Sequence, residues 1–200
     1  MKIGIIGGTF DPIHYGHIYL AKEAMDVAKL DKLIFMPARL QPFKRGEKIT
    51  DSKHRFEMTK LAALDFPTAI VSDYEMKSSA LSYTINTLRA IKEAYPFGTQ
   101  IYFIIGTDAF LKIELWKEPL ELLTDYSYLV GARPGYKEKE LDILISRLEA
   151  VYGADIMKIR NRQIDISSTE IREKLAKSED VSEYLPPRVE RYIKEHELYR

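Results

Sequence analysis

The stretch IGIIGGTFDPIHYGH, residues 3–17, joins an apolar run to two glycines, an Asp-Pro pair and two histidines three positions apart. The run predicts a buried strand over Lys2–Ile6, and the residues from Gly16 to Ala28 follow a helical pattern. A strand that passes through glycines into a helix opens a βαβ unit. The same alternation continues along the chain. Strands are expected at Lys32–Met36, Thr68–Ser72, Gln100–Ile105, Tyr126–Val130 and Asp155–Ile159. Helices are expected at Asp51–Leu64, Tyr83–Ala94, Pro119–Leu123, Glu138–Tyr152, Ser168–Lys177 and Pro187–Glu195. LIFM, IYFII and YLVGA are apolar almost throughout, as strands covered on both faces are. In the helix from Glu138, the apolar stripe is Leu141, Leu144, Ile145, Leu148 and Val151. Short strands separated by helix-length segments imply an α/β fold with a parallel sheet. No repeat, low-complexity tract or linker interrupts the 200 residues, so one domain over 1–200 is expected.

Composition narrows the function. Thirty basic and thirty acidic residues cancel, which speaks against a dedicated nucleic-acid or membrane-surface protein but not against a small phosphorylated ligand. Cysteine is absent, excluding disulfides and thiolate metal sites. No apolar run reaches the length of a membrane span, and MKIGIIGG enters a strand with no room for a signal peptide. The expected compartment is the cytoplasm.

In an open α/β sheet, ligands bind beyond the carboxyl ends of the strands, where GGTFDPIHYGH falls. Gly7 and Gly8 allow close backbone approach and positive φ. The following helix start offers N–H groups and dipole to an anion, toward which His14 and His17 can donate. Asp11-Pro12 most simply fixes the turn. The glycine spacing fits neither the dinucleotide fingerprint nor a Walker loop, and H-x-x-H has no third metal ligand evident, so phosphate is the expected ligand and no protein metal site is assigned. Near the other end, ISSTEIREKL, residues 166–175, contains an S-x-x-E capping box, Ser167 with Glu170. Its alternative reading is a second anion cradle, a hydroxyl-rich helix start followed by Arg172.

GTFDPIHYGH resembles the G-x-F-D-P-x-H-x-G-H signature of the nucleotidyltransferase superfamily, related to the HIGH motif of class I aminoacyl-tRNA synthetases. ISSTEIREKL matches that superfamily's second motif. QPFKRGEKITDSKHRFEMTKLA (41–62), SYTINTLRAIKEAYP (82–96), FIIGTDAF (103–110), ELWKEPLELL (114–123), VGARPGY (130–136) and YLPPRVERYIKEHELY (184–199) resemble, in order, blocks of the bacterial nicotinate-nucleotide adenylyltransferases. Among those blocks is a D-x-x-x-R-x-x-M helix, here Asp51, Arg55 and Met58.

The resemblance implies a Rossmann-like doubly wound parallel sheet of the HIGH-type nucleotidyltransferase fold, with the second ATP motif in the portion from about 166 to 200. It implies adenylyl transfer from ATP to nicotinate mononucleotide with Mg²⁺, and no nucleic-acid or membrane partner. His14 and His17 are the implied catalytic residues. Gly7, Gly8, Thr9, Phe10, Ser167, Ser168, Thr169 and Arg172 join them around ATP. Ser82, Tyr83 and Thr84, at a helix start, would take the nicotinate carboxylate, and Trp116, the one tryptophan, would stack on the pyridine ring. Core packing is the plainer role for Trp116, as solvation is for Lys44 and Arg133, which would otherwise hold the mononucleotide phosphate. Gly106 and Asp108 belong to the substrate site, with the role of Asp108 open. Many members have His-Lys where this chain has Phe43-Lys44, and Gly135–Gly153 matches little. The polar Pro42–Ser52 loop is a candidate lid. Rival readings are an amide-preferring enzyme, a pantetheine-phosphate adenylyltransferase and a nucleotide-binding regulator without turnover. Oligomeric state stays open, a homo-oligomer included.

Overall fold

The computed structural model describes residues 1–39, 49–78, 81–132, 135–160 and 167–200. Six strands form one parallel sheet: β1 (Lys2–Gly8), β2 (Lys32–Pro37), β3 (Ala69–Val71), β4 (Gln100–Gly106), β5 (Ser127–Ala132) and β6 (Asp155–Arg160). Their spatial order is β3-β2-β1-β4-β5-β6. The chain winds outward from β1 in one direction and then, from β4, in the other.

Nine helices are described: α1 (Tyr15–Ala28), α2 (Ser52–Ala63), α3 (Tyr74–Lys77), α4 (Thr84–Ala94), α5 (Thr107–Phe110), α6 (Pro119–Asp125), α7 (Glu138–Tyr152), α8 (Ser168–Ala176) and α9 (Pro187–Glu195). Among the described residues, no helix is long and apolar enough to cross a membrane.

The unbroken apolar runs have a direct cause: alternate residues of each strand enter different cores. Ile6, Phe35 and Ile104 pack with α1, α2, α8 and α9, while Ile5, Ile34 and Phe103 pack with α4, α6 and α7. Helices therefore cover both faces, as the apolar strands require. Helix α1 lies against its face through Ile18 and the small residues Ala21, Ala24 and Ala28.

All six expected strands and seven expected helices form. The differences are instructive. β1 runs two residues further, through both glycines, because Gly7 and Gly8 pair in register with Met36 and Pro37. β3 keeps only three of the five expected residues. Val151 is 63% exposed and leaves the stripe of α7, whereas Leu141, Leu144 and Leu148 are buried. Helices α3 and α5 and the 3₁₀ turn Ile113–Leu115 are additions too short to show a period in sequence.

Candidate active site

The strand order reverses between β1 and β4, and the carboxyl ends of these two strands open into a cleft of about 770 Å³. That is the position at which doubly wound sheets bind ligands, and the volume suits a small-molecule site. Gly7 and Gly8 line the cleft from β1 and Gly106 from β4, while Met36 and Phe103 supply apolar wall.

The loop after β1 is shaped by contacts more than by its glycines. Neither Gly7 nor Gly8 has a positive φ; that conformation falls on Phe10, at φ 50°. This corrects the sequence expectation. Gly8 is needed for a different reason, since a Cβ there would lie 2.7 Å from the Phe10 ring. Phe10 is 1% exposed and stands edge-on to His17, with ring centroids 5.0 Å apart. Thr9 is likewise buried, and neither Thr9 nor Phe10 is part of the cleft lining; they support it from below.

His14 is the N-cap of α1, not a residue ahead of the helix, and the helix begins one residue before Gly16. The two histidines form a reciprocal capping box. His14 Nδ1 accepts from the Gly16 N–H at 3.1 Å, and His17 Nδ1 accepts from the His14 N–H at 3.3 Å. An Nδ1 that accepts carries no proton, so in each neutral ring the proton resides on Nε2. The cap thereby selects the tautomer that presents Nε2–H as a donor. Both histidines line the cleft, with their ring centroids 3.9 Å apart. A Cβ on Gly16 would lie 2.8 Å from His14 Cε1, so glycine makes room for the folded-back imidazole.

Asp11 does more than fix a turn. The Asp11–Pro12 bond is cis, and the Asp11 side chain is almost fully enclosed. Its Oδ1 accepts from the Tyr199 hydroxyl at 2.7 Å and its Oδ2 from the Thr50 N–H at 3.2 Å. Burial, followed by the Asp11 charge, raises the pKa of Tyr199 well above the usual phenol value. Beside this loop lies Arg55, 1% exposed, donating to the carbonyls of Thr9 and Ala38 at 2.6 Å each and of Thr50 at 2.9 Å. Burial lowers its pKa, opposed chiefly by the Asp11 charge. Arg55 thus joins β1, β2 and α2 beneath the loop.

The two motifs meet. Ser168 Oγ donates to the Pro12 carbonyl at 3.0 Å, and Arg172 Nη1 to the Asp11 carbonyl at 2.8 Å. The capping box of α8 is present: Ser167 Oγ accepts from the Glu170 N–H, while Glu170 Oε2 accepts from the Ser167 N–H. Ser167, Ser168 and Thr169 line the cleft beside the histidines. Arg172 does not belong to that lining. It braces the loop and donates to Thr169 Oγ1.

At the other end of the cleft, α4 starts at Thr84 with Tyr83 as an N-cap that makes no side-chain cap bond. The Asn86 N–H donates to the Tyr83 carbonyl at 3.0 Å, and the N–H groups of Thr84 and Ile85 before it have no acceptor within the helix. Ser82, Tyr83 and Thr84 all line the cleft, as does Trp116, half-buried and edge-on to Phe103 with centroids 6.0 Å apart. Lys117 sits over the Tyr83 ring at 5.0 Å. Asp108 lines the same space, and its Oδ1 accepts from the Tyr136 hydroxyl at 3.0 Å and Lys137 Nζ at 2.9 Å. Phe43, Lys44, Arg133 and most of the Pro42–Ser52 loop lie outside the described residues.

Two buried charges of this region carried no role in the sequence reading. Arg55 had one signal, its place in the D-x-x-x-R-x-x-M block. Glu75, 9% exposed on the cleft wall, had none.

Comparison with known proteins gives the family. Residues 5–174 match the model of the cytidylyltransferase-like family. A Thermoanaerobacter sp. (strain X514) protein named "Probable nicotinate-nucleotide adenylyltransferase" is 42% identical over 200 residues, covering 100% of this chain and 95% of the relative. A Clostridium botulinum (strain Alaska E43 / Type E3) protein of the same name is 40% identical, with 100% and 98% covered. In fold, the chain is similar to the Plasmodium falciparum nicotinic acid mononucleotide adenylyltransferase complexed with NaAD. The TM-score is 0.78 at 23% identity, with 99% of this chain and 97% of that one covered. The cleft, its paired histidines and the full-length likeness lead to one assignment: the chain belongs to the cytidylyltransferase-like family, among the nicotinate-nucleotide adenylyltransferases.

Proposed function

We propose that the protein transfers the adenylyl group of ATP to nicotinate mononucleotide, giving deamido-NAD and pyrophosphate, a step of NAD biosynthesis. The observation that carries this reading is the division of the cleft into two ends. His14, His17 and the start of α8, joined through Ser168 and Pro12, make up one, and the start of α4 with Trp116 and Lys117, joined by Lys117 over Tyr83, the other. The first end suits a triphosphate and the second an anionic aromatic ring.

In the reaction, an oxygen of the mononucleotide phosphate forms a bond to the ATP α-phosphorus in line with the bond that breaks to the bridging oxygen of pyrophosphate. No covalent enzyme intermediate is needed, and positioning with charge stabilisation does the chemistry. The Nε2–H groups of His14 and His17 donate to phosphate oxygens as charge shifts toward pyrophosphate. Ser167, Ser168 and Thr169 bring the helix start of α8 to the same anion. Thr9, Phe10 and Arg172 act by holding the loop in shape.

Mg²⁺ bound to the triphosphate supplies charge neutralisation. Among the described residues lining the cleft, only Glu75 and Asp108 are acidic, which fits an ion that takes most of its oxygen ligands from phosphate and water. Lys44 and Arg133 remain the expected holders of the mononucleotide phosphate, and the cytoplasm the expected compartment. A carboxylate gains more from the α4 dipole than a carboxamide does, which favours the acid.

The test is pyrophosphate release from ATP and Mg²⁺ with nicotinate mononucleotide, nicotinamide mononucleotide or phosphopantetheine as acceptor. Fastest release with the acid is expected. Faster release with the amide or with phosphopantetheine would replace the acceptor, and none with any would favour a nucleotide-binding regulator.

A further inference from the structure

Glu75 has no part in the reaction as proposed, yet its buried side chain lies on the cleft wall. Thr87 Oγ1 donates to its Oε1 at 2.5 Å, and the Ser82 hydroxyl, which accepts from the Arg39 N–H at 3.1 Å, is close enough to favour its charged form. Ser82 precedes α4 and Thr87 closes its first turn, so the carboxyl group is held against the amino terminus of that helix. No ion pair to Glu75 is present among the described residues. The charged groups on neighbouring segments are engaged elsewhere: Lys77 with Asp73, the Arg39 guanidinium with the Ser78 carbonyl, and Lys117 over the Tyr83 ring. Tyr74 and Tyr83 are the adjacent phenols. Burial raises the pKa of Glu75 from the ordinary glutamate value, against the Thr87 and Ser82 side chains, which lower it.

A carboxylate in this position takes up the positive end of the α4 dipole. A second carboxylate, carried by a pyridine ring, then meets a like charge in a poorly solvated place, and a carboxamide does not. We propose that Glu75 sets the choice between carboxylate and carboxamide on the ligand: as a neutral acid it leaves the start of α4 to the ligand's carboxylate, and once ionised it disfavours that carboxylate while tolerating the amide. This rests on the reading of α4 as the pyridine-carboxyl site. Above the pKa of Glu75, the acid ligand binds with uptake of one proton, ending as a carboxylate beside a carboxylic acid. The amide ligand binds with none.

The experiment measures kcat/KM for nicotinate mononucleotide and nicotinamide mononucleotide between about pH 6 and pH 9, with saturating ATP and Mg²⁺. Phosphate titrations are common to both series and cancel in the ratio. The acid-to-amide ratio is expected to fall by up to about tenfold per pH unit once Glu75 ionises, the limit for one linked proton. In Glu75→Gln the ratio is expected to lose that slope. Calorimetry of the unmodified enzyme in buffers of different ionisation enthalpy adds a readout independent of the variant, with proton uptake expected for the acid alone. An acid-preferring enzyme whose ratio ignores pH, an unchanged slope in Glu75→Gln, or equal proton uptake for both ligands would overturn the role of Glu75. Amide preference at every pH would instead overturn the reading of α4.

Discussion

The two ends of the cleft are built differently. At the histidine end, the polar groups are tied to one another before any ligand arrives. His14 and His17 cap the same helix, Ser168 and Arg172 donate to the carbonyls of Pro12 and Asp11, and Asp11 accepts from Tyr199 and Thr50. At the α4 end, the helix starts with no side-chain cap, and Trp116 touches its neighbour Phe103 only by an edge. In the proposed reaction the first end handles the reacting phosphates, where a misplaced donor costs rate, and its mutual ties hold it in place. In that proposal the second recognises a ring substituent; Thr87 there is tied to Glu75 and Ser82 to the Arg39 N–H, while the first N–H groups of α4 carry no side-chain cap. Chemistry is preorganised here, and selection is left open.

That contrast can be broken most severely at Arg55. Arg55→Leu leaves the carbonyls of Thr9, Ala38 and Thr50 without their donor and takes one of two nearby positive charges from Asp11, Arg172 remaining at 4.0 Å. A loss of about 3–5 kcal/mol in urea unfolding is expected, from the cost of breaking a buried charged network. A loss below about 1 kcal/mol would show that the loop does not depend on this support. Next in size is His17→Ala, expected to lower kcat on the order of 10²–10³-fold, the scale of one preorganised donor. The fall should be the same with acid and amide acceptors; unequal falls would mean that the two ends are not separate.

Gly16→Ala sharpens the comparison further, because it puts a Cβ against the His14 ring without removing a polar group. A kcat loss on the order of tenfold is expected. Stability should change little, since alanine favours a helix over glycine by up to about 1 kcal/mol while the displaced His14 cap costs about as much. Unchanged kcat would disconnect the cap geometry from catalysis. The smallest effect belongs to the other end. Trp116→Ala should weaken the mononucleotide KM by about 1 kcal/mol, roughly fivefold, the worth of an aromatic contact, with the ATP KM unmoved. Parallel changes in both constants would place Trp116 in the core and not at the ring.

What could be read from sequence follows the same division. Strands such as LIFM and IYFII declare themselves because both faces are covered and every residue is apolar. The capping of α1 by His14 was not legible, whereas His14 and His17 stand out as paired imidazoles beside glycines, and Ser167–Thr169 as a hydroxyl-rich helix start. Arg55 and Glu75 do not, because SKHRFEM and DYEMK look like solvated helix faces, and charged residues are rarely enclosed. Only tertiary packing buries them. The conformation of Phe10 was hidden for a related reason: the left-handed turn was expected of a glycine, and packing under His17 imposed it on an aromatic residue. Arg172 was legible as an anion binder and not as a brace, because its partner is a backbone carbonyl 161 positions away.

The hydrogen bond from Tyr199 to Asp11 spans 188 positions. A ribosome that has already released β1, both histidines and the whole of the sheet has therefore not yet released one of the residues that hold the loop after β1. The sheet can assemble from its nearer pairings first, since short-range closures cost less entropy than long ones. The loop after β1 gains its Tyr199 contact only when the carboxyl-terminal segment folds back across it, the same segment whose Val189 and Ile193 complete the core on that face of the sheet.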